Sequence, residues 1–466
     1  MSPPLSPAFR PAPLILAGAF LLAASGCGGT STSTPPAASC PAPTGNGTAQ
    51  SGDITTSTTW TAAGSPHLAG GSFSVRAGAT LTIESCATVK LPAGAVVLVY
   101  GKLVAAGQPG RPVTIDSTGP GVRWGYITTR ADPSTGTGPI NTFIDLAHTT
   151  LVNGGLTDIN GLGLIDLRGR YSADPRQAIL RVNSVTIDGT AGPYGYGVVL
   201  RDGASFTADS TGLTIKNAAT HPIRASDKLV GSIPPGSYTG NGFDEIVWTS
   251  VVDINEDTTI HDRGVPYRLG EPNGNGNDMR VGLGSTGAPL VTLTVEAGVT
   301  VKVHPTGRLV MQDSLNASGI GVHPSGSLIA LGTAARPITF TSAALAPAPG
   351  DWQALRFDSA PASNSRLDQV RVEYAGGPTQ ANSFHCVAGG GYSPDEDSAI
   401  LMFGEPLSQF VTNSTIAFSA ADGFGRAYTG EPIDFMAGNT FVSVARCKQG
   451  FPRPTSNICP TNPPCP

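Results

Sequence analysis

The sequence has few charged and few aromatic residues for its length. Of its 466 residues 13% are charged and 6% are aromatic, and the formal net charge is −5. A charge this small, with no polybasic block, argues against nucleic acid or an anionic membrane surface as the partner. The chain also lacks a long stretch with the 3.6-residue period of an amphipathic helix, so we expect no helices between its strands.

Motifs of familiar catalytic sites are missing as well. No Gly-x-Ser-x-Gly stands between a strand pattern and a helix pattern, and no glycine-rich bend precedes a helix pattern. The seven cysteines lack zinc-site spacing, and the seven histidines are scattered singly. The sequence therefore offers no catalytic residue, and whether the protein is an enzyme stays open.

What the chain does contain is many short alternating segments joined by glycine and proline turns. It has 60 glycines and 40 prolines. In Thr80–Ile83 and Thr88–Leu91 polar and apolar residues alternate, which places Leu81, Ile83 and Val89 on one side of their strands. Strands this short, without crossover helices, can form their backbone hydrogen bonds if the chain coils, because each strand then pairs in parallel with the strand one full coil later.

The same series of segments is written twice. Leu81-Thr-Ile-Glu84, followed by Thr88-Val-Lys90, returns as Leu293-Thr-Val-Glu296, followed by Thr300-Val-Lys302. Trp124 likewise corresponds to Trp352, and the order of the matches is preserved throughout. The repeat predicts two long homologous halves, 50–240 and 241–447.

These segments resemble the right-handed parallel β-helix proteins that bacteria secrete. The resemblance rests on Val75–Glu84, on Gly101–Gly107 with Arg111–Ile115, and on their second copies up to Gly350-Asp-Trp352, and it covers roughly 50–447. It implies an all-β, right-handed parallel β-helix similar to that of the pectate lyases. It implies little about activity, because this scaffold carries lyases, hydrolases and adhesins.

The N-terminal region is typical of export and lipid attachment. Residues 1–26 read as a signal peptide with the apolar run Leu14–Leu22, which is too short to span a membrane. Ala24-Ser-Gly-Cys27 resembles the bacterial lipobox, in which the cysteine is acylated, and residues 27–49 form a flexible polar tether. Gly28 in place of Asp implies the outer membrane by the same resemblance. Plain secretory cleavage is the alternative.

Six cysteines remain after Cys27, an even number that suits disulfides in an exported protein. The sequence alone leaves many connectivities open. We expect Cys40 with Cys86 at the N-terminal end, Cys386 with Cys447 around the last coils, and Cys459 with Cys465 inside the Pro-rich tail, 448–466.

Two features are candidates for ligand contact. The acidic run Asp395-Glu-Asp397, near His385, could hold calcium, although a solvated turn is the favoured interpretation. The four tryptophans and the loop Gly192–Tyr196 could stack on sugars. For Trp124 and Trp352, which the repeat relates, packing within a coil is favoured. Asn273–Asp278 lacks the bidentate glutamate of a calcium loop and is read as a polar loop.

From these features we expect a lipid-anchored protein of the cell envelope whose β-helix presents a surface to a polysaccharide or another protein. The membrane is contacted only through the N-terminal lipid. The alternative is a polysaccharide lyase or glycoside hydrolase, with calcium as the cation that could assist it.

The lipid anchor gives the first testable prediction. Cys27→Ser removes the acylated thiol, so the protein should leave the membrane fraction and lose labelling by a radioactive fatty acid. Thr30→Ala, three residues downstream, is the matched control and should fractionate like the wild type. Unchanged fractionation of Cys27→Ser would contradict the lipoprotein interpretation.

Overall fold

The computed structural model describes residues 39–42, 45–129, 142–155, 163–169, 178–192, 195–274, 276–315, 321–379, 397–429, 433–452 and 465. Within these ranges the chain forms 38 strands and two 3-10 helices, Ala62–Gly64 and Asp227–Ser232. The predicted run of short strands without α-helices is confirmed. No helix in the described part of the chain is long and apolar enough to cross a membrane.

The strands of the N-terminal part are β1 Thr48–Gln50, β2 Thr58–Trp60, β3 His67–Ala69, β4 Phe73–Val75, β5 Thr80–Glu84, β6 Thr88–Leu91, β7 Val97–Val99, β8 Lys102–Ala106, β9 Val113–Ser117, β10 Ile127–Thr129, β11 Phe143–Val152, β12 Gly163–Arg168, β13 Ile179–Asp188, β14 Tyr196–Arg201, β15 Ser205–Phe206, β16 Thr211–Lys216, β17 Ile223–Ser226, β18 Gly236–Ser237 and β19 Ile246–Thr249. Those of the C-terminal part are β20 Thr258–Ile260, β21 Tyr267–Leu269, β22 Asp278–Val281, β23 Val291–Val295, β24 Thr300–Val303, β25 Arg308–Met311, β26 Asp313–Leu315, β27 Gly321–Pro324, β28 Gly326–Leu331, β29 Ile338–Ser342, β30 Leu355–Phe357, β31 Arg366–Asp368, β32 Val370–Glu373, β33 Ser398–Met402, β34 Val411–Thr412, β35 Thr415–Ala417, β36 Asp422–Arg426, β37 Thr440–Val442 and β38 Gln449–Pro452.

These strands stack into long parallel sheets, which makes the fold a parallel β-helix. The longest sheet that the described residues form has thirteen strands, in the order β4-β7-β10-β12-β14-β17-β19-β21-β24-β29-β32-β35-β37. At about 4.8 Å between neighbouring strands, its twelve intervals span roughly 58 Å. A twelve-stranded sheet completes the coils of the N-terminal part. Two sheets, β20-β23-β28-β31-β34 and β22-β25-β30-β33-β36-β38, do so in the C-terminal part.

The twelve-stranded sheet has two branches that the ten-residue strands β11 and β13 join. The first half of β11 pairs with β8 and its second half with β9. His148 lies between these halves at φ +42°, and Ser184 lies between the halves of β13 at φ +57°. A single left-handed residue turns the chain sharply without interrupting the strand, so both branches continue through one element.

One hydrophobic core fills the interior from Trp60 to Phe435. The predicted inward residues Leu81, Ile83 and Val89 are at most 2% exposed. Their alternation with half-buried threonines is confirmed, since β5 and β6 show the period of two that a coil with one dry face requires.

The two copies of the sequence repeat make the same local contact in different sheets. The Glu84 carboxylate accepts a hydrogen bond from the backbone N–H of Ala62 at 3.1 Å, and the Glu296 carboxylate accepts one from that of Asp262 at 2.9 Å. Yet β6 lies in the twelve-stranded sheet, whereas its counterpart β24 lies in the thirteen-stranded sheet. Matching strands of the two copies therefore do not lie in the same sheet.

The disulfides confirm one predicted pairing and correct another. Cys40 is joined to Cys86, as expected, and this bond fixes the N-terminal end. Cys447 is joined to Cys465 rather than to Cys386, so the predicted pairs Cys386–Cys447 and Cys459–Cys465 are both wrong. The bond brings the C-terminal tail back to the loop before β38, a proximity that sequence spacing does not reveal. Cys386 and Cys459 lie outside the described residues.

The packing of the coils predicts the effect of a core truncation. Leu293 in β23 is fully buried, so Leu293→Ala should lower the free energy of unfolding by about 2–5 kcal/mol through lost burial and a residual cavity. Leu345, which is 99% exposed, provides the control, because Leu345→Ala should change the free energy of unfolding by less than about 0.5 kcal/mol. Urea unfolding followed by circular dichroism measures both, and equal effects would contradict the inward placement of Leu293.

Candidate functional site

The outward side of the thirteen-stranded sheet carries one residue from each successive strand in register. Outward residues alternate with core residues; Leu167 and Leu200, for example, belong to the core. The row in register consists of Thr128, Asp166, Val199, Arg224, Val247, Arg268, Lys302 and Thr341. Three of these eight side chains are cationic, and they follow one another along the long axis of the sheet.

Carboxylates beside this row form ion pairs with its cations. Arg224 Nε donates to Glu271 Oε1 at 2.7 Å. Glu245 contacts two cations, Lys302 Nζ at 2.5 Å and Arg268 Nη1 at 3.5 Å. The side chains of Arg224, Glu271, Glu245 and Arg268 are only 13–15% exposed. At this depth solvent screens the charges weakly, so these pairs interact more strongly than pairs on the open surface.

A second set of charges continues the row toward the N-terminus. The fully buried Asp166 carboxylate accepts hydrogen bonds from Arg201 Nη2 at 2.7 Å and from Arg168 Nε at 3.1 Å. Burial lowers the pKa of Arg201 most; nearby Asp166 raises it, and Arg168 and Arg224 lower it further. The guanidinium groups of Arg168 and Arg224 are thus each close enough to repel that of Arg201.

We refer to Asp166, Arg168, Arg201, Arg224, Glu245, Arg268, Glu271 and Lys302 as the charged row. It contains five cations and three carboxylates, an excess of two positive charges in a chain whose net charge is −5. The face is therefore a local basic region on an acidic protein.

An aromatic stack borders the charged row. The rings of Tyr196 and His221 lie 5.8 Å apart, and those of His221 and Phe243 lie 5.0 Å apart, with interplanar angles of 24° and 19°. Tyr196 and His221 are buried, whereas Phe243 is 52% exposed. The stack therefore ends in one ring that is open to solvent.

A tight turn fixes the position of Phe243. The Asp244 carboxylate accepts hydrogen bonds from the backbone N–H groups of Gly240 at 3.1 Å and Asn241 at 2.8 Å. The Asn241 side-chain oxygen accepts from Ala218 N at 3.0 Å, which ties the turn to the preceding coil. The exposed ring is thus held in place before any ligand binds, which lowers the entropic cost of a contact.

Some buried polar atoms in the same region have no hydrogen-bond partner among the described residues. They include Arg268 Nε, His221 Nδ1 and Thr220 Oγ1. Most buried polar atoms in proteins form hydrogen bonds, so a buried polar atom without a partner indicates a place where water or a ligand can bind. Arg268 Nε can only donate, which favours an acceptor such as a carboxylate or hydroxyl oxygen.

The predicted acidic cluster is only partly described. Asp397 is 5% exposed, and its Oδ1 accepts hydrogen bonds from Thr379 N at 2.9 Å and Thr379 Oγ1 at 3.0 Å. This carboxylate is therefore part of the interior of its loop, not a solvated turn. His385, Asp395 and Glu396 lie outside the described residues, as does Cys27. In the part of the chain that the structure describes, no three His, Cys, Asp or Glu residues come together as a metal site.

The tryptophans are not sugar platforms. Trp60, Trp124, Trp248 and Trp352 are all at most 2% exposed. The indole N–H groups of Trp124 and Trp352 donate to backbone carbonyls at 2.7 Å, which confirms their predicted packing role. In the loop Gly192–Tyr196, Tyr194 lies outside the described residues and Tyr196 is buried in the aromatic stack. Sequence reasoning missed Phe243, although the turn Gly240-Asn-Gly-Phe-Asp244 was visible.

Carboxylates hold two further turns. The Glu296 carboxylate contacts the His261 ring at 2.8 Å and accepts a hydrogen bond from the backbone N–H of Asp262 at 2.9 Å. The carboxylate of Asp278, the last residue of the polar loop, accepts two hydrogen bonds from Arg308, both at 2.7 Å. This carboxylate is thus neutralised by an arginine.

No protein-family model matches the chain, and neither a curated protein nor a solved structure matches it. The assignment of the charged row and its aromatic stack therefore rests on their own geometry and chemistry.

Burial of His221 predicts a pH dependence of stability. Burial lowers its pKa to about 4, while Glu245 acts to raise it and Arg268 to lower it further. The folded protein therefore resists protonation that the unfolded chain accepts near pH 6.5, and stability should fall by about 3 kcal/mol as the pH drops from 7 to 4. His221→Phe keeps a ring in the stack and should lose this component. Parallel pH profiles of unfolding for the two proteins would contradict the burial of a neutral imidazole.

Proposed function

We propose that the protein is an exported, lipid-anchored component of the cell envelope, and that its charged row binds an acidic polysaccharide. The observation that carries this proposal is the succession of cations in register along the thirteen-stranded sheet, next to the exposed ring of Phe243. The anchor itself is supported by the sequence around Cys27.

The charge pattern favours a polyanion with regularly spaced carboxylates. Arg268 and Lys302 lie on neighbouring strands, about 4.8 Å apart, and Arg224 lies two strands before Arg268. An extended sugar chain that runs along the sheet axis would present carboxylates to Lys302 and Arg268, whose side chains are 33% and 15% exposed. Guanidinium groups bind carboxylates through two parallel N–H donors, and this pairing both strengthens the contact and fixes the orientation of the carboxylate.

The aromatic ring favours a sugar over other polyanions. A half-exposed phenyl face offers an apolar surface to the C–H groups of a sugar ring, while hydroxyl and carboxylate groups at its edge reach the charged row. Nucleic acid is disfavoured, because the chain has no polybasic block that could neutralise a dense phosphate backbone.

Contacts of the carboxylates favour binding over catalysis. Asp166, Glu245 and Glu271 each contact at least one arginine or lysine on this face. A hydrolase needs one carboxyl group that donates a proton and a second that acts as base or nucleophile. Carboxylates already engaged by guanidinium groups are poorly placed for either task.

Binding assays with defined polysaccharides test the proposal. The full-length protein in detergent should migrate more slowly in gels that contain polygalacturonate or alginate than in gels without polymer. Neutral dextran should leave its mobility unchanged. The retardation by the acidic polymers should weaken as salt screens the charges. Phe243→Ala should weaken binding about tenfold, equivalent to about 1.4 kcal/mol. Leu345→Ala, which truncates another exposed apolar side chain, should leave binding unchanged.

Two results would contradict this function. Equal retardation by dextran and the acidic polymers would remove the role of the cations. Release of shortened products from polygalacturonate or alginate would show that the face degrades its ligand, and would favour a lyase or hydrolase.

A further inference from the structure

The inward side of the sheet formed by β22, β25, β30, β33, β36 and β38 contains an unexpected arginine. One column of residues in register on this side consists of Val281, Met311, Phe357, Met402 and Arg426. Four apolar residues therefore precede a charged one at the same position of successive coils. A break in a consistent packing pattern is commonly found at functional sites.

Arg426 is buried with very few contacts for a guanidinium group. It is 4% exposed, and Nε donates a hydrogen bond to the Gly450 carbonyl at 2.7 Å. Nη1 is buried, and among the described residues it has no hydrogen-bond partner and Arg426 has no carboxylate within ion-pair distance. An unpaired charge in the interior costs several kcal/mol. The arrangement is therefore incomplete as it stands.

Tyr428 brings a second donor to the same side of the chain. It stands at a bend two residues after Arg426, and its ring belongs to the main core. Tyr428 and Arg426 are close enough to interact electrostatically. The hydroxyl is buried and has no hydrogen-bond partner in the part of the chain that the structure describes. Burial raises the pKa of Tyr428, so the hydroxyl keeps its proton and remains a donor.

Nearby acceptors are already used, and the walls are apolar. Gln449 Oε1 accepts from Phe435 N at 2.7 Å, and Asp434 Oδ1 accepts from Met436 N at 2.7 Å. The rings of Phe424 and Phe435 stack with centroids 4.7 Å apart. The Asp434 carboxylate acts on the Arg426 charge, but none of the described residues accepts a hydrogen bond from Nη1 or from the tyrosine hydroxyl.

We propose that Arg426 and Tyr428 form a binding site for one small monovalent anion, a halide or a carboxylate, at the C-terminal end of the core. The anion neutralises the guanidinium and accepts from Nη1 and from the tyrosine hydroxyl. A water molecule could satisfy the same donors but would leave the charge uncompensated. The site is separate from the charged row and independent of its function.

Thermal unfolding of the full chain at constant ionic strength tests this site, with chloride or acetate replacing a bulky sulfonate. The midpoint of the wild type should rise by roughly 2 °C or more between 1 and 100 mM of the anion that binds. Arg426→Met continues the apolar column and should remove the rise. Tyr428→Phe should reduce it, and Arg366→Met, at an exposed arginine, should leave it intact.

The two anions distinguish the ligands. A rise with chloride alone assigns a halide, and a rise with acetate alone assigns a carboxylate. The proposal is overturned if neither anion raises the midpoint, or if Arg426→Met responds like the wild type, since water alone would then occupy the site. Should Arg426→Met fail to fold, the comparison of Tyr428→Phe with the wild type decides, and an unchanged response overturns the proposal.

Discussion

Backbone hydrogen bonding between successive coils is the constraint on which the rest of this structure depends. A short strand cannot satisfy its own N–H and C=O groups, so each must pair with the strand one coil before and one coil after it. Parallel pairing then fixes the register, and the register places like-positioned side chains above one another. The dry core, the charged row and the column that ends in Arg426 all arise from this one alignment.

In the charged row, the same alignment brings charged side chains of successive coils into contact. Glu245 contacts both Arg268 and Lys302, so a single carboxylate holds cations from two coils. Ion pairs at this depth gain Coulomb energy but lose hydration, and well-packed apolar residues often serve stability equally well. Retaining charges here is easier to understand if they meet a charged ligand. The stack that ends at Phe243 adds an apolar contact beside them.

Much of the fold could be predicted from residue patterns, because a period of two reports directly which side of a strand is dry. Leu81, Ile83 and Val89 were correctly placed in the core, and the packing role of Trp124 and Trp352 followed from the repeat. The site could not be predicted in the same way. Arg224 and Glu271 are far apart in sequence and meet only because several coils bring them together. The exposure of Phe243 likewise depends on where its turn stands relative to the coil below it.

The sequence by itself determined that this protein is a coil of short parallel strands, since alternation, turn residues and a doubled series of segments are local features of the chain. The pairing of Cys40 with Cys86 was expected, but it was one of many that the sequence left open. Only the tertiary structure decided that β6 and β24 lie in different sheets, that Cys447 bonds to Cys465, and which cations share a face. The physical reason is that each depends on how far the chain winds between two segments, and turn lengths add up along the coil.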